Sequence, residues 1–246
     1  MLKIKSALLG LCSLLVLSSY SFAENKVTDN NDIKELSEKI NVKFTQDENK
    51  HPFLKPEKED VKYEVVYFFS YGCQFCHNFD PLFTEWSKNV NSDTSIIKVP
   101  ATFQEGWDVL ANAYIIKENL KLDKDFDTKI FETIHDKKYD LRKFDSLRSY
   151  FINNYNVNYT TFNKEYNSFS TINKKTQYDK WADDLLIQGT PTILIIKKDG
   201  TVIRTSPGMT GDDLSTIVSI EYVLRQERNK DNGASTNERK EKPQLQ

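Results

Sequence analysis

Tyr63-Glu-Val-Val-Tyr-Phe-Phe69 sets the architecture of this 246-residue chain, together with the Ser70-Tyr-Gly72 and Cys73-Gln-Phe-Cys76 that follow it. The first stretch is rich in β-branched and aromatic residues and predicts a buried central strand. The second predicts a turn. Apolar residues then recur every three or four positions and predict a helix, namely Phe75, Phe79, Leu82, Phe83 and Trp86.

A proline and a second strand complete this unit. Pro81 lies inside the predicted helix and predicts a kink there. Thr94 to Val99 predicts the next strand. The order strand, helix, strand is a βαβ unit, which indicates an α/β fold with a mixed or parallel sheet.

The middle of the chain, from about residue 104 to residue 187, predicts only helices. Helical apolar spacing indicates four of them, around residues 109–120, 126–134, 144–152 and 159–169. Pro191–Ile196 and Thr201–Arg204, joined by a Lys-Asp-Gly turn, then predict a β-hairpin. The sequence therefore places an all-helical insertion between two parts of one sheet, within a domain spanning residues 61–228.

Both ends of the chain differ in composition from the middle. Asp212 is suited to cap a final helix. Residues 229–246 are charged and lack an apolar period, which predicts a disordered tail. Residues 24–60 form a polar arm in which Ile33, Leu36 and Ile40 have helical spacing. This arm is interpreted as solvated, with a small self-association element as the alternative, so the oligomeric state stays open.

The first 23 residues have the three parts of a secretory signal peptide. Lys3 and Lys5 give a positive start, a Leu-rich uncharged run follows, and Ser21-Phe-Ala23 supplies small residues for cleavage after Ala23. Export across the inner membrane to the periplasm is therefore predicted. A retained anchor is the alternative, although the run is short for a membrane span. Cys12 raises a lipoprotein as a further alternative, but Leu11 is a poor neighbour for it.

Removal of the leader leaves Cys73 and Cys76 as the only cysteines. An even count suits an oxidising compartment. One disulfide is too few to stabilise the fold of about 220 residues. These residues have enough apolar content to bury a hydrophobic core without it. Cleavage also moves the formal charge from −2 to −4, because Lys3 and Lys5 leave without an acid. A mildly acidic, well-mixed surface argues against a nucleic-acid partner.

The position of the cysteine pair predicts redox chemistry. A spacing of three residues in a first helical turn brings two sulfurs within disulfide reach. The helix N-terminus favours a thiolate, so Cys73 is the predicted nucleophile and good leaving group. Cys76, one turn inside the helix, is the predicted buried resolving cysteine.

The cysteine pair has two alternative roles, a zinc site and a structural disulfide. A zinc site needs two more ligands, and only three histidines are available, namely His51, His77 and His135. A purely structural disulfide would close a very small loop and contribute little stability. Redox exchange is the preferred interpretation, without a metal or a cofactor.

Gln188-Gly-Thr190-Pro191 precedes the hairpin and supports this interpretation. Proline at the start of a strand is unfavourable for sheet pairing. A cis peptide bond before Pro191 would accommodate the proline at this position. Such a loop would face the redox cysteine and present a backbone edge to an extended substrate peptide.

Three stretches resemble the bacterial DsbA thiol:disulfide interchange proteins: Phe68–Pro81, Gly189–Thr192 and Ser206–Met209. The resemblance runs in order over roughly residues 52–228. It implies a thioredoxin fold with an inserted all-helical domain and a cis Pro191. It also implies a periplasmic dithiol oxidase that passes its disulfide to reduced or unfolded exported proteins, with re-oxidation by a membrane quinone reductase of the DsbB type.

The chain departs from the family pattern at three places. Gln74-Phe75 replaces Pro-His between the cysteines, and the next histidine, His77, lies outside the pair. Tyr67 replaces a buried acid six residues before the first cysteine, so the acid's proton-relay role does not carry over. Thr190 replaces the valine frequent in oxidases and resembles the isomerases. These three changes are expected to make the pair a weaker oxidant, and the predicted redox-tuning residues are Gln74, Phe75 and His77. Phe75 is either a substrate contact or a packing residue.

Two other functions remain as alternatives to the oxidase. Thr190 and the N-terminal arm favour a disulfide isomerase or reductase, although residues 24–60 are too few for a dimerisation domain. A non-redox periplasmic chaperone on the same scaffold is the third, and the intact cysteine pair argues against it.

Overall fold

The computed structural model describes residues 40, 42–47, 50–51 and 56–240, with side chains as far as residue 231. The described residues form one five-stranded sheet of order β1-β5-β4-β2-β3. The strands are β1 (Thr45–Gln46), β2 (Tyr63–Phe69), β3 (Thr94–Pro100), β4 (Thr192–Lys197) and β5 (Val202–Thr205). Only β2 and β3 are parallel, so the sheet is mixed.

Eight helices surround the sheet within the described part of the chain. Helix α1 (Gln74–Ser87) connects β2 to β3. Five helices lie between β3 and β4: α2 (Trp107–Leu120), α3 (Phe126–His135), α4 (Phe144–Tyr155), α5 (Tyr159–Tyr166) and α6 (Phe169–Asp184). After β5 come the short α7 (Pro207–Thr210) and the long α8 (Asp213–Lys240). The predicted α/β class with a helical insertion is confirmed.

Strand β2 is the centre of the molecule because both of its faces are buried. Alternate side chains of a strand point to opposite faces of the sheet. Tyr63, Val65, Tyr67 and Phe69 join one apolar cluster with α1, α8 and the insertion. The residues between them pack with the end of α6 and the segment that follows it, on the opposite face. Continuous burial explains why β2 has a continuous apolar sequence instead of an alternating one.

The predicted hairpin is present, with β4 and β5 antiparallel and Ile195 opposite Ile203. Gly200 in its turn has a φ of 81°, a conformation that glycine adopts without strain. The predicted cap of the last helix is also present, since Oδ1 of Asp212 accepts a hydrogen bond from the Ser215 amide at 2.7 Å.

The insertion has five helices and not four, so the prediction of one helix through residues 159–169 was wrong. Helix α5 ends at Tyr166, and Ser168 begins a new helix by accepting a hydrogen bond from the Thr171 amide at 3.1 Å. Serine at the N-cap is a helix-start signal that the apolar spacing of Phe169 concealed.

The tail prediction was also wrong in part, because α8 continues to Lys240 instead of ending near residue 228. Polar contacts hold this extension to the sheet. The Tyr63 hydroxyl donates to Asp231 at 2.6 Å, and Arg228 pairs with Asp93 at 3.0 Å. Polar and charged contacts therefore hold the C-terminal part of α8, whose sequence has no apolar periodicity.

The N-terminal arm is not wholly solvated. Strand β1 pairs antiparallel with β5, with Thr45 opposite Arg204, and so forms the sheet edge. Most of the arm, including the predicted helix at residues 33–40 except Ile40, lies outside the described residues, and so does the whole predicted signal peptide. None of the helices within residues 56–240 has the length and apolar content that a membrane span requires.

Candidate active site

Cys73 and Cys76 lie at the junction of β2 and α1. Cys73 is the N-cap residue of α1, with extended backbone angles, and Cys76 lies in the first turn. Both are free thiols in this structure. Cys73 is 7% exposed and Cys76 is fully buried, so only the first is reachable from outside.

The turn that delivers Cys73 is tightly fixed. The Cys73 amide donates to the Ser70 carbonyl at 3.0 Å, and the Gly72 amide donates to the Ser70 hydroxyl at 3.1 Å. The Trp107 indole from the insertion lies directly against Gly72. A Cβ at residue 72 would meet the indole Nε1 at 2.4 Å, which is impossible without displacement. Glycine is therefore required here by close packing.

The insertion also holds the same turn through Tyr71. The Tyr71 hydroxyl donates to the buried carboxylate of Asp127 on α3. His135, at the end of α3, donates from Nε2 to the Tyr71 carbonyl at 2.8 Å. Helix α3 thus positions the cysteine turn from outside the sheet.

The two thiols differ sharply in acidity. The pKa of Cys73 is lowered from 9.0 to about 6, first by a hydrogen bond from Cys76 and then, against the effect of burial, by the Thr190 hydroxyl and the amides of Cys76 and Phe75. Burial, followed by the neighbouring Cys73, raises the pKa of Cys76 well above its usual value. At neutral pH the pair is a thiolate next to a thiol, and the thiolate is the nucleophilic form.

The Thr190–Pro191 loop lies against the first cysteine. Its peptide bond is cis, which confirms that prediction. The Cys73 Sγ lies 3.3 Å from the Thr190 carbonyl oxygen, and the Thr192 hydroxyl donates to the Gly189 carbonyl at 2.8 Å. The Thr190 hydroxyl is buried and makes no hydrogen bond of ordinary geometry with any described residue. The sequence prediction that this loop faces the cysteine is confirmed.

The three predicted tuning residues direct their side chains away from the sulfurs. Gln74 Nε2 donates to Asn78 at 3.3 Å. His77 stacks on His135, with ring centroids 5.1 Å apart, and its Nε2 lies 3.2 Å from Asp136. Phe75 is 70% exposed and only its backbone amide acts on Cys73. Its exposure removes the alternative that Phe75 is a packing residue.

A buried ionic cluster beneath the pair was missed at the level of sequence. Lys98 Nζ lies 2.6 Å from Asp80 and 3.2 Å from Asp127, and Lys117 lies 3.3 Å from Asp127. All four side chains are at most 14% exposed. Two signals were available: Lys98 interrupts an apolar strand, and Asp80 lies one helical turn after Cys76. Within the described residues, no three His, Cys, Asp or Glu side chains converge on a metal-binding position.

Comparison with known proteins agrees with this geometry. The chain is 27% identical over 173 residues to the thiol:disulfide interchange protein DsbA of Pseudomonas aeruginosa, covering 70% of this chain and 80% of the relative. It is 27% identical over 177 residues to the DsbA of Azotobacter vinelandii, covering 72% and 80%. No family model matches the chain.

Solved structures give the same result for the fold. The crystal structure of Pseudomonas aeruginosa DsbA superposes with a TM-score of 0.68 at 24% identity, covering 77% of this chain and 94% of that one. The oxidoreductase DsbA from Xylella fastidiosa superposes with a TM-score of 0.64 at 26% identity, covering 76% and 95%. The fold is therefore a thioredoxin fold with a helical insertion. Together with the sequence relatives, it supports a thiol:disulfide oxidoreductase similar to the DsbA proteins.

Proposed function

We propose that this protein is a dithiol oxidase that donates a Cys73–Cys76 disulfide to other proteins in the periplasm. The observation that carries the proposal is the asymmetry of the pair. Cys73 is the more accessible thiol, with a pKa of about 6, whereas Cys76 is fully buried with a raised pKa. A mixed disulfide between Cys73 and a substrate is readily resolved by the second substrate thiolate, because Cys73, with its low pKa, is a good leaving group.

The reaction runs in two displacements. A substrate thiolate attacks Cys73 Sγ, the Cys73–Cys76 bond breaks, and Cys76 leaves with the electron pair and gains a proton. The second substrate thiolate then attacks the substrate sulfur of the mixed disulfide and releases Cys73 as a thiolate. The substrate loses two electrons and two protons. The protein gains both electrons, one of the protons is retained on Cys76 and the other enters solvent.

The proposed substrate platform surrounds Cys73. The cis Thr190–Pro191 loop lies against its sulfur, and Phe75 projects from the first turn of α1. An exposed aromatic beside a reactive thiol offers apolar contact area to an unfolded chain, which exposes its own apolar residues. Phe75 is therefore proposed as a substrate contact, and Thr190 and Pro191 as the backbone edge that aligns the peptide.

The proposed oxidising power is moderate. A pKa of about 6 for Cys73 is depressed, but less than the value of about 3.5 in the strong oxidant of this family. Because Gln74 and His77 direct their side chains elsewhere, they add no stabilisation of the thiolate. The re-oxidant is proposed to be a membrane quinone reductase of the DsbB type. Both this partner and the periplasmic location follow from the family resemblance and the predicted signal peptide.

An isomerase or reductase is the second candidate, favoured by the threonine before Pro191. Refolding assays separate the two: the oxidised protein with reduced ribonuclease tests oxidation, and the reduced protein with scrambled ribonuclease tests shuffling. The proposal expects fast oxidation and slow shuffling, with Cys73→Ser inactive in both. Efficient rescue of the scrambled substrate would reverse the order of the two candidates. An unchanged cellular activity of Cys73→Ser would favour the non-redox chaperone.

A further inference from the structure

The Tyr67 hydroxyl is a buried polar group without a use in the fold. Tyr67 is fully buried at the centre of β2, and its hydroxyl makes no hydrogen bond of ordinary geometry with any described residue. An unpaired hydroxyl in the interior costs free energy that phenylalanine would avoid. The buried Tyr71 hydroxyl, by contrast, is paired with Asp127.

The Tyr67 ring packs on helix α1, which carries Cys76. The ring packs on Phe79 and Phe83 of α1, with centroid distances of 5.4 and 4.6 Å. Cys76 precedes Phe79 by one helical turn and belongs to the same apolar cluster. Burial raises the pKa of Tyr67 well above its usual value, and the Cys76 sulfur is the next cause of the rise. The Tyr67 phenol is therefore close enough to the Cys76 sulfur for the two groups to interact electrostatically.

The charged groups nearby do not compete for this hydroxyl. Asp80 on α1 is engaged by Lys98 at 2.6 Å, and Lys98 lies over the Tyr67 ring at 5.7 Å from its centroid. The carboxylate of Asp80 is thus occupied by a lysine. The Tyr67 hydroxyl is therefore an unpaired donor in the surroundings of Cys76.

We propose that the Tyr67 hydroxyl hydrogen-bonds the Cys76 thiolate that forms when the Cys73–Cys76 disulfide opens. The inference rests on the proposed function of the pair. During opening, the incoming thiolate bonds to Cys73 Sγ and the electron pair of the broken bond goes to Cys76 Sγ. The phenol O–H then donates to this thiolate, which has no access to water, until one of the protons released by the substrate thiols neutralises it. A donor that acts only on the leaving sulfur accelerates the opening step without stabilising the resting fold.

Tyr67→Phe tests the proposal, because it removes the hydroxyl and keeps the ring that packs on α1. Tyr63→Phe is the matched control: it lies on the same strand and the same face, and its hydroxyl binds Asp231, not a cysteine. The oxidised proteins are reacted with reduced glutathione, and the formation of the Cys76 thiol is followed by acid quenching and alkylation. A hydrogen bond to a charged sulfur corresponds to a rate effect of about tenfold.

The expected result is that Tyr67→Phe slows disulfide opening about tenfold, raises the pKa of Cys76 in the reduced protein and leaves thermal stability equal or higher. Tyr63→Phe should open at the wild-type rate. A rate for Tyr67→Phe within twofold of wild type, or an equal loss in both variants, would overturn the inference. If the wild-type disulfide fails to form or to react with thiols, it is the proposed function that falls, whatever Tyr67 does.

Discussion

The Sγ atom of Cys73 lies 3.3 Å from the carbonyl oxygen of Thr190, although the two residues are 117 positions apart. The register of the sheet accounts for this meeting. Strands β2 and β4 are antiparallel neighbours with Phe68 opposite Thr192. The end of β2 and the start of β4 therefore lie side by side, at the same end of the strands. The cysteine that follows β2 and the proline loop that precedes β4 are therefore brought together by strand pairing alone.

The Thr190 hydroxyl should have a measurable effect on the acidity of Cys73. It is one of the groups that lower the Cys73 pKa to about 6. Thr190→Val keeps the shape and removes the hydroxyl, so the pKa of Cys73 should rise from about 6 toward the ordinary value of a thiol. The absorbance of the thiolate, recorded as a function of pH, measures the pKa of Cys73. The same substitution at the exposed Thr128 of α3 is the control, and an unmoved pKa in Thr190→Val would refute the assignment.

The stability of the reduced protein should depend on pH through Cys73. Its pKa is about 6 when folded and 9.0 in the reference state, so between these values the unfolded chain binds a proton that the native protein does not. The stabilisation that the Cys73 thiolate contributes to the folded state is fully present above pH 9, and it is lost as the pH falls through about 6. The melting temperature of the reduced protein, relative to the oxidised one, should rise from pH 5 to pH 8. A constant difference over this range would contradict the low pKa.

Gly72→Ala should destabilise the protein, because the added Cβ would meet the Trp107 indole at 2.4 Å. Forcing a methyl group into a packed site costs about 1–3 kcal/mol. Gly189→Ala is the matched control, since its Cβ would meet nothing within 4 Å. Urea unfolding measures both variants. Equal stability of the two would show that the indole does not confine the cysteine turn.

Lys98→Met should be strongly destabilising, because it leaves the buried carboxylate of Asp80 without its partner. Removing one member of a buried ion pair costs about 3–5 kcal/mol. The loss should be smaller at low pH, where Asp80, whose pKa burial already raises, takes up a proton. Lys180→Met breaks a more exposed pair with Asp184 and is the control for a surface charge. Similar urea midpoints for the two variants would contradict the structural importance of the cluster.

The sequence was sufficient for the parts of this fold that depend on local pattern. The continuous apolar run of β2, the helical spacing after Cys73 and the glycine turn of the hairpin each determine an element without help from distant residues. Pro191, just before β4, is a weak signal by itself, and it predicted the cis bond because it occurs together with the upstream Cys73–Cys76 motif.

The features that were missed depend on contacts between distant segments. The extension of α8 is held by Tyr63 and Asp93, which no local pattern of the tail reveals. The pairing of Lys98 with Asp80 and Asp127 joins β3, α1 and α3. A single sequence shows these residues only as isolated charges in apolar surroundings.

The reduction potential of the Cys73–Cys76 pair tests the central claim most directly, by equilibration with glutathione. A moderate dithiol oxidase should have a potential between those of the strong oxidant, about −120 mV, and of the reductant thioredoxin, about −270 mV, and closer to about −180 mV than to either limit. A value near −270 mV would contradict the assignment as an oxidase. A value near −120 mV would contradict the claim that this chain is weaker than the strongest members of its family.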